Sequence, residues 1–191
     1  MLEQCRWLNE PKAWDLTAGV LGVTTDHGTD FWRQTHYGFT RDTGHFFQFD
    51  TAGDFTAQLR VQAEFHALYD QAGIMVRLDE AHWIKAGVEF SDGMPLLGSV
   101  LTMGQSDWAT GAYGGDPGDF WLRVTVADGV LRLQTSADGL VWPLSRLAPF
   151  PKAASYGVGP MCCTPERAGL HVRFSEFWVG PPLHRLLHDL S

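Results

Sequence analysis

The run Trp83-Ile84-Lys85-Ala86-Gly87-Val88-Glu89-Phe90 sets a tryptophan, a lysine, a glycine and a glutamate on alternate positions. In an extended strand, alternate side chains share a face. Trp83, Lys85 and Glu89 therefore stand together with a gap at Gly87, while Ile84, Ala86, Val88 and Phe90 turn toward a core. Sugars and other small polar cyclic ligands need a flat ring to stack on and charged groups around it to fix their orientation. Lys85 is the most telling of the three: the other lysines are Lys12 and Lys152, and Lys85 lies mid-strand between apolar neighbours. The same parity sets Met75 and Arg77 opposite Ile74, Val76 and Leu78, and sets Trp121, Arg123 and Thr125 opposite the core. If these strands are neighbours, Trp83, Lys85, Glu89, Arg77, Trp121 and Arg123 form one patch of rings and fixed charges. Parity gives the face and not the strand order, so that adjacency is an assumption. The alternative is a solvated sheet face whose charges pair across strands.

The elements that must position these residues read as strands. Phe55 to Phe65 alternates apolar and polar over its whole length, the pattern of an antiparallel strand with one buried face. Phe120–Val126 repeats the theme, and Asp128-Gly129 turns the chain into Val130–Thr135 as a hairpin. Further strands are expected at Phe31–Arg33, His45–Phe49, Gly73–Leu78, Trp83–Phe90, Ser99–Met103, Tyr156–Cys162, Leu170–Val179 and toward Val141-Trp142. The glycine-rich stretch Gly104–Gly118 is expected to be a loop at a sheet edge or mouth, carrying Trp108 and Tyr113. Only Leu183–Leu190, after Pro181-Pro182, reads as a helix, short and terminal. Roughly eleven or twelve strands with no helix blocks between them imply an all-β, antiparallel β-sandwich. With no linker-like segment or internal repeat, residues 1–191 read as one domain.

Composition narrows the partners. A formal charge of −8 argues against nucleic acid and anionic membranes. No apolar run approaches the ~20 residues that span a bilayer, and Met1–Trp7 lacks the basic and apolar segments of a signal peptide. Cys5, Cys162 and Cys163 are an odd set whose adjacent pair rarely bridges, so free thiols and a cytoplasmic location are expected. Nothing marks a nucleophile elbow, a P-loop, a dinucleotide fingerprint or a zinc site. Asp26-His27-Gly28-Thr29-Asp30 carries potential cation ligands but reads better as a turn. No cofactor or metal is expected.

Three blocks carry a resemblance: Tyr69-Asp70-Gln71-Ala72-Gly73-Ile74-Met75-Val76-Arg77, then Trp83 to Gly93, then Ser106-Asp107-Trp108. Trp7, Trp14-Asp15-Leu16, Asp30-Phe31-Trp32-Arg33 and Asp119-Phe120-Trp121-Leu122-Arg123 extend it over nearly the whole chain. Together they resemble the concanavalin A-like "regulation of enolase protein" sequences. The resemblance implies a jelly-roll sandwich of the lectin and glucanase type, in which the concave sheet offers a groove. Because that fold hosts lectins, hydrolases, lyases and adhesion modules, function rests on the site.

A non-catalytic binding module leads. Trp83, with Trp121 or Trp108, stacks on a saccharide or other small polar cyclic ligand, and Lys85, Glu89 and Arg77 supply directional bonds. Asp70 and Gln71 complete the ligand-binding set. The first alternative is a glycoside hydrolase pairing Glu89 with Asp70 or Asp107, although the Glu-x-Asp-x-x-Glu string of the fold's glucanases is absent. A lyase would draw on His82, Tyr69 and Arg77. The third reading is a protein-interaction scaffold using the aromatic face, as monomer or dimer.

Overall fold

Alternating patterns fold here into strands throughout. The computed structural model describes residues 1–191, with β1 (Arg6–Leu8), β2 (Ala13–Thr17), β3 (Val20–Thr24), β4 (Phe31–Arg33), β5 (Thr40–Asp42) and β6 (His45–Ala52) first in the chain. There follow β7 (Phe55–Ala63), β8 (Gln71–Arg77), β9 (His82–Ser91), β10 (Met94–Met103), β11 (Gln105–Ser106) and β12 (Ala109–Gly111). The last are β13 (Asp119–Ala127), β14 (Val130–Ser136), β15 (Leu144–Pro149), β16 (Ser155–Cys163) and β17 (His171–Gly180). One sheet has eight strands in the order β1-β6-β16-β8-β9-β10-β11, with β12 also on β10. The other has seven in the order β15-β14-β13-β7-β17-β3-β2. All pairings are antiparallel, and the result is an all-β sandwich. No helix is long and apolar enough to cross a membrane.

Between the sheets lies the main core. The inward residues of β7 and β13 (Leu59, Val61, Leu122, Val124) meet those of β8 and β9 (Ile74, Val76, Ile84, Val88), all buried in one cluster. Each such side chain contributes ~1.5–3 kcal/mol on full burial.

A second, smaller core lies on the opposite face of the eight-stranded sheet. The β4–β5 hairpin folds over that face and buries Phe31, Trp32, Phe46, Met75, Trp83, Val100, Met161 and Cys163. β9 is therefore covered on both faces over Trp83–Glu89. Beyond the hairpin the sheet is lined by glycine: Gly73 of β8, Gly87 of β9 and Gly98 of β10 are in register across three strands. A Cβ on Gly87 would meet the Ala72 carbonyl oxygen and the Gly73 Cα, and one on Gly73 would meet the Ala86 carbonyl. The strands approach too closely there for any side chain.

Three local expectations change, the first being that Gly104–Gly118 is not all loop: it adds the short strands β11 and β12 to the edge at β10. Residues 183–190 form no helix but an irregular strap across the outer face of the seven-stranded sheet. A helix this short holds only if it packs an apolar face, yet Leu186 is 83% exposed. The strap's backbone bonds to the sheet instead. Leu183 N–H donates to Thr56 Oγ1 (2.9 Å), Arg132 Nη1 donates to the carbonyls of Arg185 and Leu186, and Trp142 N–H donates to the carbonyl of Leu190 (2.8 Å). Val141-Trp142 also lies outside any strand, because Asp138 Oδ1 holds the N–H groups of Leu140 and Val141 in a turn. The strand forms later, as β15.

Gly87→Ala is expected to force β8 and β9 apart and to destabilise the fold by ~1–3 kcal/mol. At ~2–4 °C per kcal/mol for this size, calorimetry should show a melting temperature several degrees lower, whereas Gly98→Ala, which meets only ordinary contacts, should leave it nearly unchanged.

Candidate functional site

The outer face of the eight-stranded sheet and the edge of the hairpin enclose a cavity of about 270 Å³. Lys85 and Glu89 of β9 and Gln71 of β8 form its floor, with Gln71 directly opposite Glu89 in the register. Asp30, Trp32, Tyr37, Phe39 and Arg41 descend from the hairpin, Tyr69 precedes β8, Trp108 comes from the segment after β11, and Glu166 stands at the rim.

The floor is charged and only partly paired. Lys85 Nζ donates to Asp30 Oδ1 at 2.8 Å, and the same oxygen accepts the N–H of Phe31 at 2.8 Å. Burial pulls the Lys85 pKa down, but Asp30, Cys163 and Glu89 together outweigh it and hold the ammonium above its ordinary value. Glu89 differs. It is 7% exposed, has no hydrogen-bond partner in the protein and forms no ion pair. Burial pushes its pKa up to about 7, Lys85 opposes the shift and Asp30 reinforces it. At neutral pH the group is thus divided between acid and carboxylate.

Aromatic rings make the walls. Trp32 meets Tyr37 edge-on at 5.7 Å, Tyr37 stacks on Phe39 at 5.4 Å, and Tyr69 meets Trp108 edge-on at 6.3 Å. The two tyrosine hydroxyls share a 3.0 Å hydrogen bond that, with burial, raises Tyr69 to about 12. Arg41 lies over the Phe39 ring at 4.5 Å.

Of the residues expected to bind a ligand, the fold brings Lys85, Glu89, Gln71 and Trp108 together at this cavity. It takes five away. Trp83 shares their face but is 1% exposed beneath the hairpin, its Nε1 donating to the Glu80 carbonyl, so its ring offers no stacking surface. Arg77 donates two hydrogen bonds to Asp42 and anchors the hairpin. Asp70 is fully buried at a turn, where it accepts from Arg167 and from the N–H groups of His66 and Ala67. Trp121 and Arg123 belong to the seven-stranded sheet, whose outer face lies across the sandwich: Trp121 packs under Arg60 and donates to Glu176, while Arg123 lies over Trp142 at the C-terminal strap.

The catalytic constellations do not assemble either. Asp107 pairs with Arg146, His82 pairs with Asp79, and of His82, Tyr69 and Arg77 only Tyr69 lines the cavity. Asp26 and Asp30 diverge, Asp26 toward Lys12 and Asp30 into the cavity. Burial pushes the Cys162 and Cys163 thiols well up, which leaves them unreactive. What sequence reasoning missed is the hairpin's contribution, Asp30 and the Trp32-Tyr37-Phe39 wall. The available signal was the aromatic density of residues 31–39, with Phe31, Trp32, Tyr37 and Phe39.

The family described as "Protein of unknown function (DUF1349)" matches residues 7–182. "Regulation of enolase protein 1" of Saccharomyces cerevisiae is 60% identical over 190 residues, spanning 100% of this chain and 96% of its own. A crystal structure of a functionally unknown protein from Saccharomyces cerevisiae superimposes with a TM-score of 0.94 at 60% identity, over 95% of this chain and 98% of that one. At 14% identity, a mutant of the GH43 protein BlXynB from Bacillus licheniformis gives a TM-score of 0.69 over 92% of this chain and 36% of that one, a likeness of fold alone.

Since the Glu89 pKa is higher in the folded chain than the ordinary 4.5, the folded state holds this proton more tightly. The associated stability is fully present below about pH 4.5 and is lost as pH rises through about 7. The loss amounts to about 3 kcal/mol at most. Glu89→Gln should flatten this part of the stability–pH curve, measured by urea unfolding between about pH 5 and about pH 8.

Proposed function

The chain belongs to the DUF1349 family, and from that premise we propose that it is a non-catalytic, lectin-like binding protein whose aromatic-walled cavity holds one small polar cyclic ligand of the saccharide class. The observation that carries this reading is Glu89, a nearly buried carboxylate with no partner in the protein, on the floor of a cavity. Its oxygens are reached from the cavity and take no donor from the protein, which leaves that donor for a ligand to supply. Lys85 has three N–H donors, one of them engaged by Asp30, and the second Asp30 oxygen has no partner. Donors and acceptors thus converge where vicinal hydroxyls, which both donate and accept, would meet them. The rings supply stacking faces, and about 270 Å³ suits a single ring, just under the ~300–1,000 Å³ of drug-sized sites.

Hydrolysis is the weaker reading because it needs two working carboxylates. Asp30 is held by Lys85 and the Phe31 N–H, and the remaining carboxylate, Glu166, is exposed at the rim while Glu89 is on the floor. Three free cysteines support a reducing, cytoplasmic setting. The role in enolase regulation that names the yeast relative is compatible with a ligand-responsive binding protein.

A thermal-shift screen against monosaccharides, sugar phosphates and glycolytic intermediates tests the proposal. A ligand at ~100 times its Kd adds ~2.7 kcal/mol, or several degrees at this size. The shift should disappear in Trp108→Ala, whose ring is 40% exposed at the rim, and in Glu89→Ala. A shift that survives both substitutions, or none across the panel, would overturn it. Trp83→Ala should act differently, lowering stability by ~3–5 kcal/mol as a core truncation, measured by denaturant unfolding.

A further inference from the structure

Among the charges of the cavity floor, one carboxylate has no direct partner. Asp30 and Lys85 cancel each other at 2.8 Å. Arg41 is drawn over the Phe39 ring, and Glu166 is exposed at the rim. Glu89 alone on the floor has no hydrogen-bond donor of the protein in contact, and Lys85, engaged by Asp30, acts on it only through space. An isolated buried carboxylate is costly, and a neutral hydroxyl would satisfy its hydrogen bonding without balancing its charge. The walls point the same way. The Trp32–Tyr37 and Tyr69–Trp108 pairs each meet at 71°, so ring surfaces enclose the cavity from several sides. The negative faces of aromatic rings attract cations, and Arg41 on Phe39 shows this wall already holding one at its edge.

We infer that the ligand carries a cationic nitrogen seated between Glu89 and the aromatic walls, which makes it an amino sugar and not a neutral one. Lys85 and the second Asp30 oxygen remain for its hydroxyls. The inference rests on the reading of this cavity as a saccharide site and adds the charge of its ligand.

Titration calorimetry at about pH 7.5 with D-glucosamine, D-glucose and N-acetyl-D-glucosamine tests it, because acetylation keeps the ring and removes the charge. Tetramethylammonium serves as a cation without a sugar. The wild-type chain should bind glucosamine about ten- to a hundredfold more tightly than the two neutral sugars, the range a charge-assisted hydrogen bond supplies. Glu89→Gln, which removes the charge and keeps the shape, should reduce glucosamine to the affinity of glucose while leaving a cooperative melting transition. Equal affinity for all three sugars would overturn the inference and leave the saccharide reading standing. A glucosamine preference that persists in Glu89→Gln would overturn it as well, since the cation would then sit elsewhere. Binding of tetramethylammonium in the absence of any sugar binding would sustain the cation seat and remove the saccharide reading. Binding of none of the four would remove both.

Discussion

The ion pair between Lys85 and Asp30 is the contact on which the site depends. It joins the middle of β9 to the start of the β4–β5 hairpin across 55 residues of sequence, inside the protein and at 2.8 Å. A buried pair stabilises little relative to a well-packed apolar alternative, but loss of either partner leaves a charge stranded and costs ~3–5 kcal/mol. It therefore acts as a specificity device for where the hairpin lands. Arg77 holds the same open end through two hydrogen bonds to Asp42, opposite Phe31 in the register, and at the turn end Arg33 donates to the Gly104 carbonyl. With the hairpin held at both ends, Trp32, Tyr37 and Phe39 have only one place to stand.

The same contact explains why the floor is electrically uneven. Lys85 bonds Asp30 directly and reaches Glu89 only through space. Lys85 and Glu89 stand four positions apart on one face of β9, with no side chain between them at Gly87. A substituent at that position would also collide with the neighbouring strand. Close strand packing and an open floor are thus consequences of one glycine register.

Hairpin placement also decides what the aromatic residues do. Trp83 has the parity of a ligand-facing residue, but the hairpin covers it together with Phe31, Met75 and Met161, and it becomes core. Trp108, in a glycine-rich segment with no periodicity, keeps 40% of its surface at the rim. A half-polar sheet face was the natural reading of β9; its second buried face was not, since a strand carries no sign of what folds over it from elsewhere in the chain.

The residue order alone determined the longer strands, the β-sandwich class, the face shared by Lys85 and Glu89, and membership in a recognisable family, because alternation and turn chemistry act over a few neighbouring residues. Short strands such as β1, β5 and β12 carry too few residues to show it. Strand order, by contrast, is a matter of long-range pairing. Trp121 and Arg123 have the right parity, yet β13 pairs with β7 and β14 in the other sheet. The C-terminal strap is similar: its leucines have helical spacing, but the waiting side chains of Thr56 and Arg132 and the N–H of Trp142 take its backbone groups instead. Only the tertiary structure decided which carboxylate would be paired and which left free. That outcome depended on where a hairpin 55 residues away delivered Asp30, a distance over which local periodicity carries no information.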